Sequence, residues 1–234
     1  SSYSDMGSLV VTPQGMVYFD DSVRGLLSVD PSDGVQRVLI PKTGVRTDGT
    51  VPGTATLRDP TNMTIDPQGR LLFFDYDRIR RYDPTTGMMT TLIGGGASSA
   101  ATVAATSLRI MAQASDNGRR LLVVAGDGKI YFQSEDYNNV TLGAGYAMRV
   151  YDPSNSMVTS LRFSGQGDTV SATQDITQCE GFAMAVSLNG SGALERIFLS
   201  LDHVTTGCPG GGQSVTIIDP ATFQPVAPYS FSGY

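Results

Sequence analysis

The sequence predicts an all-β protein built from four copies of a four-stranded antiparallel unit, and three recurring markers carry that prediction. The first is Asp-Pro, at Asp30-Pro31, Asp83-Pro84, Asp152-Pro153 and Asp219-Pro220, each placed after an apolar strand and before a turn. The second is a turn upstream of it: Thr12 to Gly15, Asp66 to Gly69, Ser115 to Gly118 and Ser187 to Gly190, each set between a first strand and an apolar second one. The third joins the units and is rich in Gly, Ala, Thr and Val, at residues 49–57, 101–108 and 167–173. Three separate markers recurring in one order define a repeat rather than a chance alternation.

The second unit shows the pattern most fully. Met63 to Ile65 alternates and stops at Pro67-Gln68-Gly69, and Leu71 to Phe74 is an unbroken apolar run of strand length. Ile79 to Tyr82 leads into Asp83-Pro84, and Met88 to Ile93 ends on Gly94-Gly95-Gly96. The units span about residues 8–44, 59–96, 108–165 and 181–234, within one domain covering 1–234. Unit three admits a second parse, in which Leu121 to Ala125 and Lys129 to Gln133 form a hairpin across Gly126-Asp127-Gly128, because Asp-Gly between apolar runs is a strong hairpin signal.

Units three and four are longer because residues accumulate between their second and third strands, at 133–147 and 202–213. In a four-stranded meander that loop and the link to the next unit emerge at the same end. The long segments therefore collect on one face, the face on which repeat folds carry their contacts.

The arrangement Asp-Gly-x-x-Pro-Gly-x-Ala-x-Leu-x-x-Pro, then Ile-Asp-Pro-x-Gly-x-Leu-x-Phe-x-Asp, then Arg-Ile-Arg-x-x-Asp-x-x-Thr-Gly, at residues 48 to 87, resembles an NHL repeat. The resemblance is close over residues 8–96 and confined to turns and Asp-Pro strands beyond. It implies a β-propeller whose blades are the four units. Propellers of this type commonly have six blades, so the resemblance implies either four wide blades or a ring completed from outside these residues.

Composition narrows function. A net charge of −6 and a pI near 4.6, with scattered basic residues, argue against nucleic acid, which needs clustered cations to displace phosphate counterions. The one basic cluster, Arg78, Arg80 and Arg81, reads as a solvated strand face. No run of 18 apolar residues exists to span a membrane. The chain starts at Ser1 without an initiator Met or a signal sequence, and so reads as processed or as part of something longer.

Cys179 and Cys208 fall in one unit at places that share a face in a propeller. They suit a disulfide and an oxidising compartment, the alternative being two buried thiols. Sequons at Asn62, Asn139 and Asn189 add to an extracellular reading.

Chemistry is sparser. Carboxylates at the ends of second strands, chiefly Asp20, Asp75 and Asp202, could ring a Ca²⁺ ion, which takes six to eight oxygens; otherwise each accepts backbone hydrogen bonds in its own turn and no cofactor is needed. His203 is the only histidine, which removes multi-His zinc sites, and no Gly-x-Ser-x-Gly elbow accompanies it. Tyr137 and Tyr146, in the third insertion, are the first candidates for a contact surface.

The sequence therefore points to a non-catalytic extracellular propeller contacting proteins or glycans, as a homo-oligomer or a structural subunit of a surface or filamentous assembly. The alternative is a Ca²⁺-dependent, lactonase-like hydrolase.

Overall fold

The computed structural model describes residues 6–49, 53–110, 121–136, 145–160, 181–191, 193–201, 214–221 and 225–230. Strands β1 (Met6–Val11), β2 (Val17–Asp21), β3 (Gly25–Val29) and β4 (Gln36–Pro41) form one antiparallel sheet in that order. Strands β5 (Pro60–Ile65), β6 (Leu71–Asp75), β7 (Arg78–Asp83) and β8 (Met88–Gly94) form the second. A short β9 (Thr102–Ala104) lies on the outer edge of the third, which is otherwise β10 (Leu121–Val124), β11 (Ile130–Asp136), β12 (Gly145–Asp152) and β13 (Met157–Ser160). The fourth is β14 (Gly181–Leu188), β15 (Leu194–Leu201), β16 (Ser214–Ile218) and β17 (Pro225–Ser230). The only described helix is one 3₁₀ turn, Ala105–Ser107.

The Asp-Pro markers fall at the ends of the third strands, β3, β7, β12 and β16, as expected. The reason is chemical. The Asp carboxylate accepts the backbone N–H two residues on, at 2.8 Å from Ser32, 2.8 Å from Thr85, 2.9 Å from Ser154 and 2.8 Å from Ala221, while proline presets the next φ. The first turns are equally alike. Thr12, Asp66, Ala125 and Asn189 each donate their N–H to a carbonyl four residues later, on Met16, Arg70, Lys129 and Ala193. Three of these turns need a left-handed residue, supplied by Gly15 (φ 85°), Gly69 (φ 79°) and Gly128 (φ 83°).

This corrects one expectation. In the third sheet the first turn is Ala125 to Lys129, not Ser115 to Gly118, so Leu121 to Val124 is the first strand rather than the second. The Asp-Gly hairpin parse was the right one. Part of the expected excursion after Gln133 is strand as well: β11 and β12 remain paired out to Asp136 and Gly145.

Contacts divide the chain into two compact units, residues 1–97 with 105–118, and residues 98–104 with 119–234. In the first, the two sheets enclose a core of Tyr18, Leu26, Ile40, Leu57, Met63, Leu71, Phe73, Tyr82 and Met89. Strand β6 is buried along its whole length, which accounts for its continuous apolar run: Leu71 and Phe73 fill this core while Leu72 and Phe74 point to the opposite face. In the second unit, Leu121, Ala125, Tyr131, Met148, Ile197 and Ile218 make the core.

The segments that join units also close sheet edges. Gly49 donates its N–H to Met89 O at 3.1 Å, so the link ahead of the second sheet lies against that sheet's own outer strand. Strand β9 does the same for β13 in the third, pairing Val103 with Val158. Each then runs into fully buried leucine, Leu57 or Leu108. Covering an outer edge in this way removes unpaired backbone groups that would otherwise recruit other strands.

Candidate functional site

At the end where β6 passes into β7, the two-residue connection Tyr76-Asp77 meets the link that runs from Lys42 to Asp59. Tyr76 adopts φ 63°, a left-handed conformation rare for an aromatic residue. Its ring carries the Arg58 guanidinium 3.5 Å from the centroid, with that of Arg46 at 5.5 Å. Arg46 also pairs with Asp77. Burial lowers the Arg46 pKa, and the neighbouring cations Arg78, Arg58 and Arg80 push the same way against Asp75. The half-buried Arg46, Arg58, Tyr76, Asp77 and Arg78 make an arginine and tyrosine platform on the link side of the second sheet.

Beneath it lies a buried ion pair. Arg80 is fully buried, donates to Asp75 Oδ2 at 2.9 Å and to Thr47 O at 2.8 Å, and forms an ion pair with Asp48 Oδ1 at 2.6 Å. The other Asp75 oxygen accepts the backbone N–H groups of Arg58 at 2.9 Å and Asp59 at 2.7 Å. Asp75 therefore fastens the link to the blade. The expectation of a solvated strand face at Arg78, Arg80 and Arg81 is corrected at Arg80, whose neighbours β6 and the link enclose it. Arg149 holds the equivalent place in β12, opposite Phe132 as Arg80 is opposite Phe73, and it too is buried.

Asp21 is the counterpart of Asp75 in the first sheet, six residues past the turn glycine. Burial opposes its charge, but the Arg24 N–H and guanidinium and the Val23 N–H outweigh that and hold its pKa at about 2. A depressed folded pKa means stabilisation that is complete above the ordinary 3.8 and is lost as pH falls through about 2. The stability gap between the wild-type chain and Asp21→Asn, followed by urea titration, is therefore expected to be open at pH 7 and to close near pH 2; a gap unchanged with pH would contradict the assignment.

Asp20 precedes Asp21 in register and so points to the other face of the sheet. It accepts the Ser8 N–H at 2.6 Å and the Ser8 hydroxyl, while Ser8 Oγ accepts the N–H of Met63 at 2.8 Å. This chain ties β1 to β5. Burial raises the Asp20 pKa against those hydrogen bonds. Of the three carboxylates expected to ring an ion, Asp20 and Asp75 thus serve separate hydrogen-bonded networks, and Asp202 lies outside the described residues, as do His203, Cys179, Cys208, Asn139 and Tyr137. Among the described residues no group of three or more His, Cys, Asp or Glu is placed to hold a metal ion.

Asn62 sits within β5 at a bulge, with φ 51°, beside buried Met63. Asn189 is exposed in its turn, where Oδ1 accepts the N–H groups of Ser191 and Ala193, each at 3.0 Å. Tyr146 lies on β12 opposite Glu135 in the extended hairpin. The sequence offers Tyr76 as one of several tyrosines able to stack on a partner, but gives no sign of Arg46 and Arg58 beside it. Only a pairing between the link and the β6–β7 connection brings them together, and no local pattern encodes it.

No family model matches the chain, and no curated protein matches it. Solved structures do. A gluconolactonase from Xanthomonas campestris is similar with a TM-score of 0.54 and 16% identity, over 99% of this chain and 65% of that one. The extracellular domain of a protein assigned as a hybrid two-component system of B. thetaiotaomicron is similar with a TM-score of 0.53 and 14% identity, over 97% of this chain and 24% of that one. A second such domain from the same organism, of a one-component system, gives 0.50 and 14%, over 91% and 21%. The chain spans two thirds or less of the length of each. At these identities the likeness shows fold, and with the four meander sheets it establishes an all-β fold of β-propeller type. Among the described residues no helix is long and apolar enough to cross a membrane.

Proposed function

We propose that the chain is a non-catalytic propeller module of NHL-type blades, working outside the cell in contact with other proteins or glycans as a subunit of a surface or filamentous assembly. The observation that carries this reading is the use made of the strand-end carboxylates. Asp75 and Asp21 are spent on backbone N–H groups and arginines, and Asp20 on Ser8. What the same end offers to solvent is a contact surface, the Arg46–Tyr76–Arg58 stack, of the residue types enriched where proteins meet. Tyr137 and Tyr146, in and beside the third connection, extend the same role. An extracellular setting is supported by the two sensor domains of like fold and by the exposed sequon at Asn189. With it go glycans on Asn62, Asn139 and Asn189 and a Cys179–Cys208 disulfide.

Chromatography with light scattering tests the assembly. Apparent mass is expected to rise with concentration, and Arg58→Ala and Tyr76→Ala are expected to reduce that rise several-fold while costing about 1 kcal/mol of stability, the loss of one half-buried cation–π stack. A strictly monomeric chain at high concentration would overturn it.

A further inference from the structure

The outer edge of β4 is built like two edges that the chain covers, yet over Gln36–Val38 no described residue covers it. The equivalence rests on register. Gln36 faces Val29 at the end of β3 just as Met89 faces Tyr82 and Val158 faces Tyr151. The first two sheets also share one bulge, between Leu26/Leu27 and between Ile79/Arg80, which makes Val38 the counterpart of Thr91.

In the second and third sheets these outward-directed positions are occupied. Met89 O accepts the N–H of Gly49 at 3.1 Å, and Ser160, two residues past Val158, donates its N–H to Ala101 O at 2.7 Å. The covering stretches, Thr47-Asp48-Gly49 and Thr102-Val103-Ala104, are short and antiparallel to the strand they cover, and the second is made wholly of small or β-branched residues. In the first sheet the corresponding groups, Gln36 C=O and Val38 N–H, face outward. Val35 and Val38 beside them are 49% and 52% exposed. The neighbouring side chains leave the edge clear: Arg37 turns back to Asp33, and Gln36 Oε1 accepts from Arg24 at 3.0 Å. The nearest linking segment, at Leu57, reaches only the last residue of β4 and the stretch after it, pairing with Pro41 O at 3.0 Å and Thr43 N–H at 2.9 Å.

We infer that the β4 edge is a strand-addition site for another polypeptide, whose docked part is a short extended segment of the Thr-Val-Ala type running antiparallel to Gln36–Val38. Main-chain hydrogen bonds supply the affinity and Val35 and Val38 the apolar contact. The inference stands apart from the Arg46–Tyr76–Arg58 surface, which is on a different element.

A peptide of the chain's own sequence Ala101–Leu108, added at about 1 mM to the full chain, tests it by residue-resolved amide exchange. The Val38 amide is expected to exchange at least tenfold more slowly with peptide, and Met89 and Val158 to be unchanged. The effect is expected to disappear with a Val103→Pro peptide, which cannot pair. Unchanged exchange at Val38, or equal protection by the Val103→Pro peptide, would overturn the inference. So would protection that follows protein concentration and ignores peptide, since that would mark the edge as a contact between copies.

Discussion

Asp75→Ala is expected to destabilise the chain by about 3 kcal/mol. The substitution leaves the buried Arg80 guanidinium without its buried counterion and strips the N–H groups of Arg58 and Asp59 of their acceptor. Breaking a buried pair from one side costs about 3–5 kcal/mol, because an uncompensated charge remains in a medium that solvates it poorly. The lower end applies, since Asp48 still reaches Arg80 at 2.6 Å. Asp48→Ala removes the exposed partner of the same arginine and is expected to cost about 1 kcal/mol or less. Urea unfolding of the two variants ranks them directly. Equal losses would mean that Asp75 does not hold the link in place. A double variant, Asp75→Leu with Arg80→Met, is expected to recover most of the loss, because burying an apolar pair avoids desolvating two charges.

Phe73→Ala is expected to cost about 3–5 kcal/mol, as removal of a buried aromatic ring leaves a cavity that close-packed neighbours fill only in part. Phe73 has no exposed surface and lies in the core with Leu71, Met89 and Leu57. Phe132 occupies the same register position in the third sheet, opposite Arg149, and is equally buried. Phe132→Ala is therefore expected to lose a similar amount. Calorimetric melting of both variants checks the repeat itself: a large loss in one and less than about 1 kcal/mol in the other would mean that the two positions are not equivalent.

Much of this architecture was legible because the repeat writes its turns in side-chain chemistry. Asp30, Asp83, Asp152 and Asp219 mark third strands because a carboxylate followed by proline caps a turn locally, and a local interaction leaves a local signature. The misplaced first strand of the third sheet has the converse cause. Ser115 to Gly118 has turn composition, and Leu121 to Val124 is an apolar run that suits either of two neighbouring strands, so periodicity could not choose between them. Arg80 was misread because the link that encloses it, at Thr47 and Asp48, lies far away in sequence. Thr47 is 33 residues upstream, and nothing in Arg-Ile-Arg-Arg distinguishes the arginine that turns inward from those that do not. Tyr76 was legible as a tyrosine that could stack on a partner, but the arginines around it were not, for the same reason, compounded by a left-handed backbone that sequence assigns to glycine.

Strand-end carboxylates that fasten the chain, as Asp20, Asp21 and Asp75 do, are not free to gather around an ion, and calcium titration by calorimetry separates the two uses. No saturable heat is expected up to millimolar calcium, and Asp75→Ala is expected to cost the same in calcium as in chelator. Tight calcium binding abolished by Asp20→Ala or Asp75→Ala would contradict it and give the lactonase-like reading in its place.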